Sequence, residues 1–130
     1  MERLKLKLSD ADKALATLEE IVKEPMSKIV RDASILRFQY SFEVFWKCVK
    51  EYLKEKEGSV CNSPKSCFRE LLTAGLCDEV QVVSLQEMTD DRNETAHTYK
   101  EAIAEKIHSH INAHIELIKQ TLASIKNNVN

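Results

Sequence analysis

Glycine and proline are scarce in this chain, with two of each among 130 residues, and that scarcity argues against an all-β architecture, which needs such residues at its chain reversals. Aromatic residues are also few, at 6%. Neither sign of charge dominates: 19 Lys and Arg stand against 21 Asp and Glu, a formal net charge of −2. A strongly basic nucleic-acid surface is therefore not expected, although a small local phosphate site is compatible with this balance. No run approaches the roughly 18 consecutive apolar residues of a membrane span, so no membrane association is expected. The N-terminus has no continuous apolar segment of the secretory kind, and Cys48, Cys61, Cys67 and Cys77 show no C-x-x-C spacing. Reduced thiols and a cytoplasmic location are the simplest expectation, with Cys48 a small core residue in an apolar helical pattern. A phosphate-binding G-x-x-x-x-G-K-[ST], a G-x-S-x-G elbow and a dinucleotide fingerprint are all missing, and no cofactor is expected.

What is present is helical periodicity. At 130 residues, with 43% apolar residues, the length fits one domain, residues 1–130, with a single core. Leu4, Leu8, Ala11, Leu15, Leu18 and Val22 recur at steps of four and three, one stripe of a first helix ending near Glu24 and Pro25. Ser27 offers an N-cap for a long second helix stopped by Gly58. That helix has one stripe through Val30, Ala33, Tyr40, Val44 and Cys48 and another through Phe38, Phe42, Phe45, Val49 and Tyr52, so it should touch neighbours on more than one side. Ser63 and Pro64 open a short third helix closing at Gly75, and a further helix around Val80 to Asp90 leads into the last. The last helix carries Ile103, Ile107, Ile111, Ile118, Leu122 and Ile125 and should fray from Lys126 to Asn130. The expected fold is an all-α, up-and-down bundle of four main helices plus a short one.

Asp90 to Tyr99 holds the densest group of functional side chains and lacks bulky aliphatics. Asp91 and Glu94 have the spacing of a capping box, which would start the final helix there, and helix N-termini favour phosphate. Arg92 offers a bidentate phosphate contact and His97 a proton exchanged near neutral pH. Five residues of regular helix would put them about 140° apart, so one copy makes a loose site. A two-fold homodimer would complete it with an Arg and a His from each chain. On spacing alone the plainer reading carries more weight: Arg92 pairs with Asp90 or another acid, and His97 is a partly buried histidine at a helix start.

Arg92-Asn93, His97 and Tyr99 also match the R-N-x-x-x-H-x-Y motif of HEPN-domain proteins, and the chain resembles their HepT-like group, the nucleotidyltransferase substrate-binding proteins. The blocks Phe42 to Lys47, Ser63 to Glu70, Gly75-Leu76 and Arg92 to Tyr99 stand in that family's order. Leu85 stands near a position where the family often has tryptophan. The resemblance implies a dimeric bundle working with a separately encoded minimal nucleotidyltransferase, with RNA or a nucleotide as its ligand. It implies a metal-independent ribonuclease site in which His97 is the acid or base, Arg92 stabilises the phosphorane charge and Asn93 orients His97 or the phosphate. Tyr99 looks like the tyrosine that, in toxin–antitoxin members, the partner enzyme modifies with AMP. Nuclease and substrate-binding subunit both remain open, as does a purely structural or adaptor bundle without catalysis.

Three further signals carry less weight. His108, His110 and His114 cluster on the last helix, and His110 with His114 at i, i+4 could hold zinc, but the local sequence supplies no third ligand, so surface or interface histidines are the plainer reading, with His114 expected to face a neighbour such as a dimer partner. Asp10 and Asp12 form a D-x-D pair at an expected helix start with no preceding Gly-Ser turn, so this chain is not itself the transferase. Phe42, Phe45 and Trp46 are expected in the core rather than as a base-stacking platform.

Overall fold

A computed structural model describes residues 1–129. Five α-helices follow in chain order: α1 (Glu2–Ile21), α2 (Lys28–Glu57), α3 (Pro64–Thr73), α4 (Glu79–Glu94) and α5 (Glu101–Val129), with a 3-10 turn at Thr95–His97 between the last two. Among the described residues there is no strand, and no helix is long and apolar enough to cross a membrane. The architecture is the expected all-α bundle of four main helices and one short one.

Local chemistry sets the helix ends. Ser27 accepts from the Val30 N–H to begin α2, and α2 stops at Gly58, whose φ of 66° is a left-handed conformation that costs glycine little. Ser63 and Ser66 form a reciprocal capping box with Pro64 at the first position of α3, and Gly75, at φ 80°, turns the chain after it. Asp78 and Gln81 cap α4 in the same reciprocal way.

The second stripe of α2 forms the centre of the core. Phe38, Phe42, Phe45, Val49 and Tyr52 are all buried, and α2 contacts every other α-helix. The other stripe runs from half-buried Val30, Ala33 and Val44 to buried Cys48, with Tyr40 on the surface. Phe68 of α3 inserts beside Phe42 and Phe45, with ring centroids 6.1 and 5.7 Å away. Leu85 is fully buried in the same core. Phe42 and Phe45 are thus core residues, while Trp46 lies at the edge and donates its indole N–H to Glu43 at 3.2 Å.

Three expectations are corrected. Cys61 and Cys67 form a disulfide, with Cα atoms 5.3 Å apart, because the first turn of α3 carries Cys67 back over the loop that holds Cys61. Cys48 and Cys77 remain free thiols, and burial pushes the Cys48 thiol up to about 12, consistent with an inert core residue. Helix α5 does not fray at Lys126 but continues to Val129, anchored by Lys126 Nζ on both oxygens of Asp12 at 2.9 and 2.8 Å; Asn130 lies outside the described residues. Asp10 and Asp12 sit in the middle of α1 rather than at its start.

Phe68→Ala removes a ring enclosed by two others and should lower unfolding free energy by about 3–5 kcal/mol, measured by urea denaturation of the variant and the parent protein.

Candidate functional site

The segment from Asp91 to Tyr99 is the reversal between α4 and α5, not the start of the last helix. Asp91 to Glu94 form the final turn of α4, the 3-10 turn follows, and α5 begins at Glu101. Asp91 does not cap. Its side chain turns inward, is 5% exposed, and accepts from His110 Nδ1 at 2.8 Å and His114 Nε2 at 2.7 Å. This tertiary pairing overrides the local Asp-x-x-Glu pattern, so Arg92 to His97 do not form the first turn of the last helix and Asp91 lends that turn no N-terminal phosphate site. Burial disfavours the Asp91 charge, but the hydrogen bonds from His114 and His110 outweigh it and hold the carboxyl below its ordinary range. His114 accordingly faces its own core, stacked on Phe38 with centroids 5.2 Å apart, and not a second copy.

Arg92 turns to a different helix, α2. Its Nε donates to Glu43 of α2 at 3.0 Å, and Nη1 to the Thr95 hydroxyl at 3.3 Å. The acid beside it is therefore Glu43, 49 positions earlier, while Asp90 pairs with Lys65 at 2.6 Å. Glu43 bridges Arg92 and the Trp46 indole, one carboxylate oxygen to each. Nη2 has no hydrogen bond among the described residues, which leaves one edge of the guanidinium open to an anion. Sequence reasoning missed Glu43 as part of the site; only its place three residues before Trp46 hinted at a fixed side chain.

His97 closes the 3-10 turn and is exposed, contrary to the partly buried expectation. The 140° separation does not apply, because the chain leaves the α-helix between Arg92 and His97. Tyr99, 77% exposed, meets the His97 ring edge-on with centroids 6.0 Å apart. Lys100 Nζ lies 5.9 Å from the Tyr99 ring centre. Asp32, Ile35 and Thr98 line a shallow pocket of about 310 Å³ beside Tyr99. Asn93 is exposed and has no side-chain hydrogen bond among the described residues, so here it orients neither His97 nor Arg92. The structure thus brings His97 and Tyr99 together, fixes Arg92 through α2, and leaves Asn93 apart.

Below the turn, Glu101 at the start of α5 forms an ion pair with Arg31 of α2, and Arg31 Nε also donates to Asp32 at 3.0 Å. The hydrogen bond from Arg31 holds the Glu101 carboxyl below its ordinary 4.5. A lowered folded-state value means that the pair stabilises the fold above about pH 4.5 and that this contribution disappears as pH falls through the folded value. Glu101→Gln should therefore melt at a lower temperature than the parent protein at pH 7, with the difference shrinking as pH is lowered below about 4.5; thermal melts from pH 7 into the acid range measure it.

Known proteins share this fold. The family model described as "Nucleotidyltransferase substrate binding protein like" matches residues 6–127. A crystal structure from Thermus thermophilus is 41% identical, with a TM-score of 0.85, covering 88% of this chain and 98% of that one. A tri-AMPylated Shewanella oneidensis HEPN toxin, solved in complex with its MNT antitoxin, is 17% identical with a TM-score of 0.78, covering 95% and 96%. A Haemophilus influenzae protein, described as revealing the fold of a substrate binding domain of a nucleotidyltransferase, is 21% identical with a TM-score of 0.73, covering 92% and 98%. No curated protein matches the chain.

Proposed function

Because the chain belongs to the nucleotidyltransferase substrate binding protein like family, we propose that it is the helical subunit of a two-component pair, acting beside a separately encoded minimal nucleotidyltransferase. In this reading Arg92, His97 and Tyr99 form its phosphate-handling surface. The observation that carries it is the exposed Tyr99 hydroxyl-bearing ring set against the exposed His97 imidazole on one short turn. A toxin of the same fold carries AMP and is bound to an MNT antitoxin, which supports the same kind of partner here.

Two chemistries follow from these residues. Towards the partner, the Tyr99 oxygen attacks the α-phosphorus of ATP, the bond to pyrophosphate breaks, and the phenolic proton passes to a base. Towards RNA, a 2′-oxygen attacks the adjacent phosphorus and the 5′-oxygen leaves, giving a cyclic phosphate. His97 moves the proton and the open edge of Arg92 stabilises the phosphorane charge. Asn93 is free to rotate toward a bound phosphate. Two copies meeting across a homodimer axis would set an Arg92 and a His97 from each chain around one phosphate. AMP on Tyr99 would add charge and bulk within contact of His97 and so silence the site.

Expected outcomes separate nuclease from substrate-binding subunit. If the nuclease reading holds, the purified protein cuts RNA in EDTA and His97→Ala abolishes cutting, while unfolding free energy stays within about 0.5 kcal/mol of the parent value because the side chain is exposed. Unchanged cleavage in that variant contradicts the assignment of His97. Stable co-purification with a co-expressed minimal nucleotidyltransferase, without cleavage by either protein, supports the substrate-binding subunit. Failure of the two proteins to associate, again without cleavage, leaves the structural bundle.

A further inference from the structure

On its face toward α4, α5 presents His110 and His114 one turn apart, and α4 places Asp91 between them. Asp91 Oδ2 lies 2.8 Å from His110 Nδ1 and 2.7 Å from His114 Nε2, and the three donor atoms all lie within 4.8 Å of one another. The third ligand that α5 alone does not contain is thus supplied by a different helix, 19 residues before His110.

Donor chemistry, rigidity and access all favour a cation here. Two imidazoles and a carboxylate are the ligand set of first-row divalent metals, and three protein ligands with one open position is a common zinc arrangement. The carboxylate also offsets half of the metal's charge. Two of the three ligands are already held in place: Asp91 and His114 are 5% and 7% exposed, and the His114 ring is clamped on Phe38 at an interplanar angle of 20°. The donors open onto a groove of about 720 Å³ between α4 and α5, also lined by Ser84, Glu87, Lys106 and Gln120. That groove gives an entry path and room for water or a ligand atom at the fourth position.

Tetrahedral coordination with bonds of about 2.0–2.1 Å needs donors roughly 3.3 Å apart, so the two Asp91–histidine distances must each open by about half an ångström. His110, whose side chain is 48% exposed, has the freedom to make that movement.

We propose that Asp91, His110 and His114 are three ligands of a divalent transition-metal site, zinc by its donor chemistry, whose fourth position opens to the α4–α5 groove. The metal takes the place of the protons now shared between the two rings and the carboxylate. It would tie α4 to α5 at the residue immediately before Arg92. The inference does not depend on the function proposed above.

The test is isothermal titration of the chelator-stripped full-length protein with Zn²⁺, alongside His110→Ala and His108→Ala. His108 lies two residues away on α5, about 200° around the helix, and serves as the control. The expected result is one zinc per chain, binding weakened in His110→Ala by at least the roughly 10–100-fold that even outer-shell partners contribute, and binding unchanged in His108→Ala. Cobalt substitution of the parent protein provides a second readout that needs no variant, with absorption bands of low-coordinate Co²⁺ expected. Absence of stoichiometric zinc binding, equal affinity in His110→Ala, or equal losses in both variants would overturn the proposal.

Discussion

Asp91 brings a carboxylate into the wall between α4 and α5, where an unpartnered charge would be costly, and His110 and His114 answer it from the facing helix. The last turn of α4 is thereby fixed in rotation. With Asp91 turned toward α5, Arg92, about 100° further around the helix, reaches Glu43 of α2. The 3-10 turn then carries His97 and Tyr99 out to solvent before Glu101 re-enters the bundle against Arg31. Removing one partner of such a buried pair is more damaging than never having had it, because the remaining group stays buried and unsatisfied. The exposed site thus rests on an interior polar contact that none of its own side chains makes.

Arg92 is held in a similar spirit. Glu43 is itself oriented by the Trp46 indole, so the guanidinium is aimed before any ligand arrives. Preorganisation of this kind reduces the ordering a bound phosphate must impose. Glu43 also neutralises part of the charge that would attract that phosphate. In the proposed function a phosphate would share Arg92 with Glu43 through the open Nη2 edge, or displace it.

Much of the fold was legible in the sequence. Ser27, Gly58, Ser63-Pro64 and Gly75 each act through local backbone chemistry, and the Leu4 to Leu18 stripe and the Phe38 to Tyr52 stripe follow helical spacing that needs no knowledge of partners. What escaped depended on tertiary pairing. Asp91 and Glu94 satisfy a capping pattern, yet Asp91 is claimed by histidines about 20 residues later. The real cap of α4, Asp78 with Gln81, has the same form, and nothing local distinguishes the two. Cys61 and Cys67 carry no motif spacing, and only the turn into α3 brings them together. Arg92 and His97 were nameable from their chemistry and spacing, and Asn93 and Tyr99 from family resemblance alone, whereas Glu43 belongs to the site only through the packing of α2 against α4.

In the proposed function the α4–α5 turn is the surface on which a nucleotidyltransferase partner acts. Incubating the protein with a minimal nucleotidyltransferase, ATP and Mg²⁺, followed by peptide mass spectrometry, tests this directly. One or more AMP groups attached at Tyr99 are the predicted result. Absence of any adduct, or AMP found only on residues away from this turn, would contradict it.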